Sequence, residues 1–501
     1  MIRKMNAWLE DAFTSEYFTY PQLRGMFFTL VVDQFFIIFI NMLSTAMVSS
    51  TGEAAIAAAN MVGSINSIVA IVFNSFAIGG SIVIARAKGH GADHGIRNAI
   101  GGTIALCTIT AVTLACGLLL LANVLVNLLY PAAEPLLVEY SIRYMRLIAI
   151  SFIPYALFNA IFNAFRSLGD TRSSLFLTVV INVVHLVCSF VFINIMRLGI
   201  DGAGYSYIVA RVIGASLALV WVLFVHNEHH MRPRHLLHFS KRITREVASL
   251  GLPIASESAL FQGGMLLVQI YLARLTTTDL AAHGVANSVL MLYDVTGNAV
   301  TALTSTVCGQ CFGAGAYMLV RRYNQKMVAA GRVILLVTCF IIVPLMPLLL
   351  KMYNPSQQAI PIIYTCLMIA TIGKPLIWCD SYVTPMALRA AGDVMYSSVV
   401  SVASLFVGRI AIGYMLTIVL GFGVPGVWLG MMIEWCIRAI LLRRRVAGDK
   451  WLSNHAEDPK RRKNHGYSRI QTGRPFRHRL PVERLCGEER GALPSAGPGV
   501  F

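Results

Sequence analysis

Twelve stretches of roughly twenty mostly apolar residues, separated by short loops that hold most of the charge, leave this chain few folds to choose from. A backbone crossing lipid must satisfy its own hydrogen bonds, so such stretches are helices. They read as spans near 25–48, 55–84, 98–129, 139–165, 173–196 and 202–225, then 247–273, 280–306, 323–350, 360–389, 394–420 and 424–443. With 56% hydrophobic and 13% charged residues, a water-soluble fold has too little polar surface to cover itself. The expected architecture is an all-α polytopic membrane protein.

The net charge of +17 would fit a nucleic-acid binder if it were spread along the chain. Instead the Lys and Arg residues occupy alternate loops: Arg86, Lys88 and Arg97; Arg166 and Arg172; Arg232, Arg234, Lys241, Arg242 and Arg245; Arg321, Arg322 and Lys326; and Arg389. The positive-inside rule places these loops and both termini in the cytoplasm, with the protein in the cell membrane and no nucleic acid as partner. Glu10, Asp11 and Glu16 interrupt the start of the chain, so no cleavable signal peptide is expected. The ten cysteines are irregularly spaced, and the Cys308/Cys311 CxxC lacks a nearby His or further Cys, which makes packing its simplest role.

Sliding the chain by 224 residues aligns Ile56-Ala57-Ala58 with Leu280-Ala281-Ala282, Gly89 and Gly91 with Gly313 and Gly315, Arg97 with Arg321, and Gly199 and Gly202 with Gly423 and Gly426. A one-residue slip matches Arg166-Ser167-Leu168-Gly169-Asp170 to Arg389-Ala390-Ala391-Gly392-Asp393. Six helices per repeat is an even number, so the halves share one orientation, a parallel repeat of the transporter kind. The expected division is an N-terminal cytoplasmic segment 1–24, an N-lobe 25–225, a basic linker 226–246, a C-lobe 247–445 and a basic, disordered tail 446–501 containing Lys460-Arg461-Arg462-Lys463. The Arg-x-x-Gly-Asp repeat reads first as helix punctuation: Arg in a last turn, Gly ending the helix, Asp capping the next.

Gly52-Glu53-Ala54-Ala55-Ile56-Ala57-Ala58, Gly89-His90-Gly91, Arg166-Ser167-Leu168-Gly169-Asp170, Leu388-Arg389-Ala390-Ala391-Gly392-Asp393 and Gly423-Val424-Pro425-Gly426-Val427-Trp428, in this order, resemble the multidrug and toxic compound extrusion family over about residues 20–445. The resemblance implies two six-helix lobes around a V-shaped central cavity. It further implies export of organic cations and other amphipathic compounds, driven by inward sodium or proton flow. The sequence departs from the family at Ser44, where many members carry an Asp in the first helix.

Four acids fall inside apolar spans, where each costs about 3 kcal/mol: Asp33, Glu257, Asp294 and Asp380. Asp33 and Glu257 are repeat mates. Asp294 belongs to a helical stripe with Asn287 and Asn298, and Asp380 is flanked by Trp378 and Tyr382. These four are the expected cation-coupling and substrate residues, with Glu257 and Asp380 also a candidate sodium site by resemblance. Desolvation favours a neutral carboxyl, so a buried acid can exchange a proton near neutral pH, or stay ionised and hold sodium. Asn60, Asn74, Asn182, His185, Gln262, Asn287, Asn298, Trp378 and Tyr382 are expected to line the cavity. Beyond the coupling ion no cofactor is expected. The partners are a small, cationic organic substrate and membrane lipids, and the protein is expected to act as a monomer.

Two other classes compete. A flippase for lipid-linked precursors would need Arg or Lys in the cavity to hold a diphosphate. An intramembrane enzyme would need an Asp-rich magnesium motif, HExxH or a phosphate loop, and none is present.

Overall fold

The computed structural model describes residues 10, 13–48, 53–91, 93–129, 134–225, 230–236, 240–353 and 355–452. The expected tail from 453 onward lies outside the described residues, as do the side chains of Ser44 and Asn60.

Among the described residues there are twelve long helices. The first six are α1 (Tyr20–Val48), α2 (Glu53–His90), α3 (Asp93–Leu129), α4 (Pro135–Leu168), α5 (Thr171–Ile195) and α6 (Gly199–Val225). The second six are α7 (Lys241–Leu272), α8 (Thr277–Gly313), α9 (Tyr317–Tyr353), α10 (Ala359–Ala390), α11 (Val394–Val419) and α12 (Val424–Ala447). Ten of them are long and apolar enough to span a membrane; α7 and α8 are as long but carry more polar residues.

The turns repeat as the sequence does. Left-handed glycines fall in matched pairs: Gly91 with Gly315, Gly169 with Gly392 and Gly199 with Gly423. At Gly169 the amide N–H donates to Arg166 O and the Asp170 carboxylate accepts from Ser173 N, so the first Arg-x-x-Gly-Asp motif ends one helix and caps the next as expected; in the second, Gly392 N–H donates to Arg389 O but the Asp393 carboxylate accepts from Arg445 Nε (2.7 Å) instead of capping α11.

Packing crosses between the lobes at both first helices. Leu23, Met26 and Leu30 of α1 are buried in the core of the second six helices, and their repeat mates Val247, Leu250 and Ile254 of α7 are buried in the core of the first six. Each lobe therefore lends the other the start of its first helix.

A second symmetric contact closes one end of the bundle, the end bearing the basic loops. Arg86 Nε of α2 donates to Ala390 O at the close of α10 (2.9 Å), and its repeat mate Gln310 of α8 donates through Nε2 to Ser167 O at the close of α4 (2.8 Å). Between them α2 and α8 touch backbone to backbone: a Cβ on Gly89 would lie 2.0 Å from Gln310 O, and one on Gly313 would lie 2.1 Å from Arg86 O. Backbone cannot yield as a side-chain tip can. Gly89→Ala and Gly313→Ala are therefore each expected to prise the lobes apart at this end, costing about 1–3 kcal/mol. A lowered apparent unfolding temperature in detergent would register this; two variants as heat-stable as the parent would refute the contact.

Two boundaries differ from expectation. The linker is shorter than 226–246, because α7 starts at Lys241 and runs its first, charged turns beyond the apolar stretch. The chain also stays packed past 446: Trp451 and Leu452 are buried in the second core, and Arg321 bonds Gly448 O (2.8 Å) and Asp449 Oδ1 (2.7 Å). Apolar windows of membrane length detect neither a polar helical extension nor a two-residue anchor.

Candidate substrate and coupling site

The repeat-mated acids Asp33 and Glu257 meet different fates. Glu257 Oε2 accepts from Arg389 Nη2 at 2.6 Å and from Ser398 Oγ at 2.7 Å. Arg389 is the arginine of the second Arg-x-x-Gly-Asp motif, so this residue does more than punctuate a helix. Its mate Arg166 is the cation whose charge reaches Asp33, yet it packs over the Phe162 ring, 5.1 Å from the centroid. Asp33 is 1% exposed, its Oδ2 accepts only a long 3.5 Å bond from Gln34 Nε2, and its Oδ1 has no hydrogen-bond partner. Among the described residues no cation makes an ion pair with it. Of two symmetry-related acid–arginine pairs, one is formed and the other is open.

The remaining acids are neutralised. Asp380 is buried and gripped by Arg332 Nη2 (2.5 Å) and by Arg443 through Nε (2.5 Å) and Nη2 (2.7 Å). Asp294 pairs with Lys374, which is almost wholly buried between Tyr293 and Trp378. α10 makes both arrangements possible: a π-helical turn over Lys374–Trp378 and the proline at Pro385 break its regular winding and re-aim the side chains around Lys374 and Asp380.

Deeper in the C-lobe, Glu434 is shared by two arginines, Arg438 Nη2 at 2.9 Å and Arg409 Nε at 2.7 Å. The Arg409 contact is close but misaligned, since neither Arg409 Nε nor Glu434 Oε2 completes a directed hydrogen bond. It is held by charge rather than by geometry. Glu434 and Arg438 stand at i, i+4 on one helix, whereas Arg409 comes from α11, where no sequence spacing points to it.

These pairings correct the expectation of free carboxylates in the C-lobe. Glu257 and Asp380 are bound to different arginines, and among the described residues no three His, Cys, Asp or Glu side chains gather as around a metal ion. Each of the two acids faces its own arginine rather than the other acid. The cations responsible are Lys374, Arg332, Arg389 and Arg443. The signal was there, since a Lys or Arg in an apolar helix is as costly as an acid and needs the same explanation.

The expected cavity residues divide. Asn74 on α2 and Asn298 on α8 are repeat mates and both are exposed, each in the middle of its helix. Asn74 Oδ1 accepts from Asn159 Nδ2 (3.2 Å), which continues to Asn163 (2.7 Å). Asn287 is exposed and Gln262 half-buried; Asn182 donates to Thr178 O of its own helix (2.8 Å). His185 is buried against Tyr207, ring centroids 4.3 Å apart. Trp378 is a correction: at 4% exposure it packs onto Gly297 and stacks on half-buried Tyr382 (4.7 Å), filling core rather than lining a cleft. The CxxC cysteines are free and buried, as packing residues would be.

Comparison with known proteins agrees with this architecture. The family model MatE matches the chain twice, over residues 30–191 and 253–415, once in each half at nearly the repeat offset. The chain belongs to this family, the multidrug and toxic compound extrusion transporters. It is 24% identical to "Probable multidrug resistance protein NorM" of Thermotoga maritima over 77% of its length and 82% of that protein's. It is 26% identical to a protein of the same name from Halalkalibacterium halodurans over 61% of its length and 67% of the relative's. A solved structure described as an outward-facing conformation of a multidrug resistance MATE family transporter superposes with a TM-score of 0.78 at 18% identity, covering 85% of this chain and 95% of that one.

Proposed function

We propose that this protein exports small amphipathic organic compounds from the cell by alternating access of its two lobes, in exchange for a cation taken up at Asp33. The observation that carries the reading is the open pair: a fully buried carboxylate with one unbonded oxygen, whose symmetry mate is closed by arginine. An ionised carboxylate in that condition is unstable, and a proton cures it with a single O–H. Among the described residues Gln34 and Thr178 are the polar side chains that reach Asp33, too few oxygens to wrap a sodium ion, so the proton is the favoured coupling ion.

Asp33 lies eleven residues before Ser44, three helical turns and about 16 Å along the same face of α1. α1 thus carries an acid three turns from the position where many family members have one. With both termini in the cytoplasm, the end closed by Gly89 and Gly313 is the cytoplasmic one, and the conformation is sealed on the inside. Release of Asp33 to Arg166 then accompanies the switch of facing direction.

The expected cationic cargo is not supported by free acids in the C-lobe, since each carries its own cation. In proteoliposomes under a pH gradient or a sodium gradient, imposed separately, movement of a fluorescent amphipathic compound is expected with the pH gradient. Movement driven by sodium alone would reassign the ion, and movement with neither gradient would remove the antiport reading.

A further inference from the structure

Among the described residues of the N-lobe, one buried cation has no acid. Arg211, midway along α6, is 7% exposed. Its Nη1 donates to Ser151 Oγ at 2.6 Å, and its guanidinium lies 4.3 Å from the centroid of Tyr155 and 4.9 Å from that of Tyr207. All three partners are neutral, and among the described residues no carboxylate pairs with it.

The C-lobe supplies the comparison. On α6 and α12, matched at 224 by Gly199/Gly423 and Gly202/Gly426, Arg211 corresponds to Trp435, the chain neighbour of Glu434; on α5 and α11, matched at 223 to 224, His185 falls at Gly408 or Arg409. The two helices that carry a contacting Arg409 and Glu434 in the C-lobe thus carry His185 and Arg211 in the N-lobe, with His185 resting on Tyr207. In the C-lobe this helix pair sets an acid beside its arginine; in the N-lobe no carboxylate among the described residues of α5 and α6 pairs with Arg211.

Arginine does not give up its proton in a protein, so this charge cannot be relieved by titration. Aromatic faces offset part of its desolvation but do not neutralise it. A positive charge held in the middle of a spanning helix is costly, and a ligand that brings the opposite charge recovers that cost. The geometry also suits a particular kind of ligand: a planar guanidinium presents parallel N–H groups to a carboxylate, and the rings of Tyr155 and Tyr207, both only half-buried, offer flat faces beside it.

We propose that Arg211, with Tyr155 and Tyr207, is a binding site for the anionic group of an aromatic cargo, so that the exported compounds include aromatic carboxylates. The inference rests on the transporter reading above and assigns its substrate class.

The test is equilibrium binding to the purified full-length protein in detergent, without any ion gradient, so that failure of coupling leaves this readout intact. The probes are 1-naphthoate, its uncharged methyl ester and 1-naphthylmethylammonium. The carboxylate is expected to bind about tenfold or more tightly than either of the others and to raise the apparent unfolding temperature. Arg211→Gln is expected to bring carboxylate binding down to that of the ester, with Arg211→Lys between. Equal binding of carboxylate and ester by the unmodified protein overturns the proposal whether or not the variants fold. So does an Arg211→Gln protein that keeps the carboxylate preference.

Discussion

Asp33→Asn is expected to reduce gradient-driven transport to the passive leak of protein-free vesicles, while leaving the protein inserted and at least as heat-stable as the parent. The two halves of that expectation come from one fact. The Asp33 carboxylate is buried with Oδ1 unbonded and no paired cation among the described residues, so in its ionised form it is a burden on the fold. An amide of the same shape relieves the burden and also removes the site where a proton can be taken up and given back. Glu257→Gln makes the contrast. There a carboxylate is already satisfied by Arg389 and Ser398, so its loss strands an arginine and shows mainly as reduced stability. Proteoliposome transport under a pH gradient, beside thermal unfolding of both variants, separates the two. An Asp33→Asn protein that still transports with undiminished gradient dependence would move the coupling step elsewhere.

Much of this was readable before any coordinates. The period of the apolar blocks gave the helices, and a single offset gave the repeat, down to the matched left-handed glycines at 91 and 315 or 199 and 423. Such features are local or depend on one register, and sequence records both directly. The state of each acid was not readable for the opposite reason. The partner of Glu257 is 132 residues away, that of Asp380 is 48 or 63 away, and that of Asp294 is 80 away. Nothing at helical spacing points to them. Trp378 failed differently: an aromatic beside an acid suggested a cleft wall, but the ring fills the space left by Gly297, a choice made by packing across two helices. The symmetric lobe closure lay between these cases, since Arg86 and Gln310 were aligned by the offset yet differ in type, and only their shared use of a helix-end carbonyl shows them to be equivalent.

The largest loss of stability is expected at Glu434→Gln. Three charges share one dry pocket: Glu434 on α12 stands between Arg438 of its own helix and Arg409 of α11, and all three side chains are buried. The helices leave no room for rescue by water or by side-chain withdrawal, because a Cβ on Gly408 would already lie 2.6 Å from the Glu434 backbone. Neutralising the acid leaves two guanidinium groups facing each other in a low-dielectric interior, and breaking a buried pair in this way costs about 3–5 kcal/mol. With two arginines to strand rather than one, the upper part of that range applies. The companion experiment removes one of the stranded charges: Arg409→Met in the Glu434→Gln background restores part of the lost stability, since an apolar replacement needs no counter-charge. Thermal unfolding of the two single variants and the double variant closes the cycle. If Glu434→Gln unfolds at the parent temperature, or if the double variant is no more stable than Glu434→Gln alone, the buried triad does not hold α11 to α12.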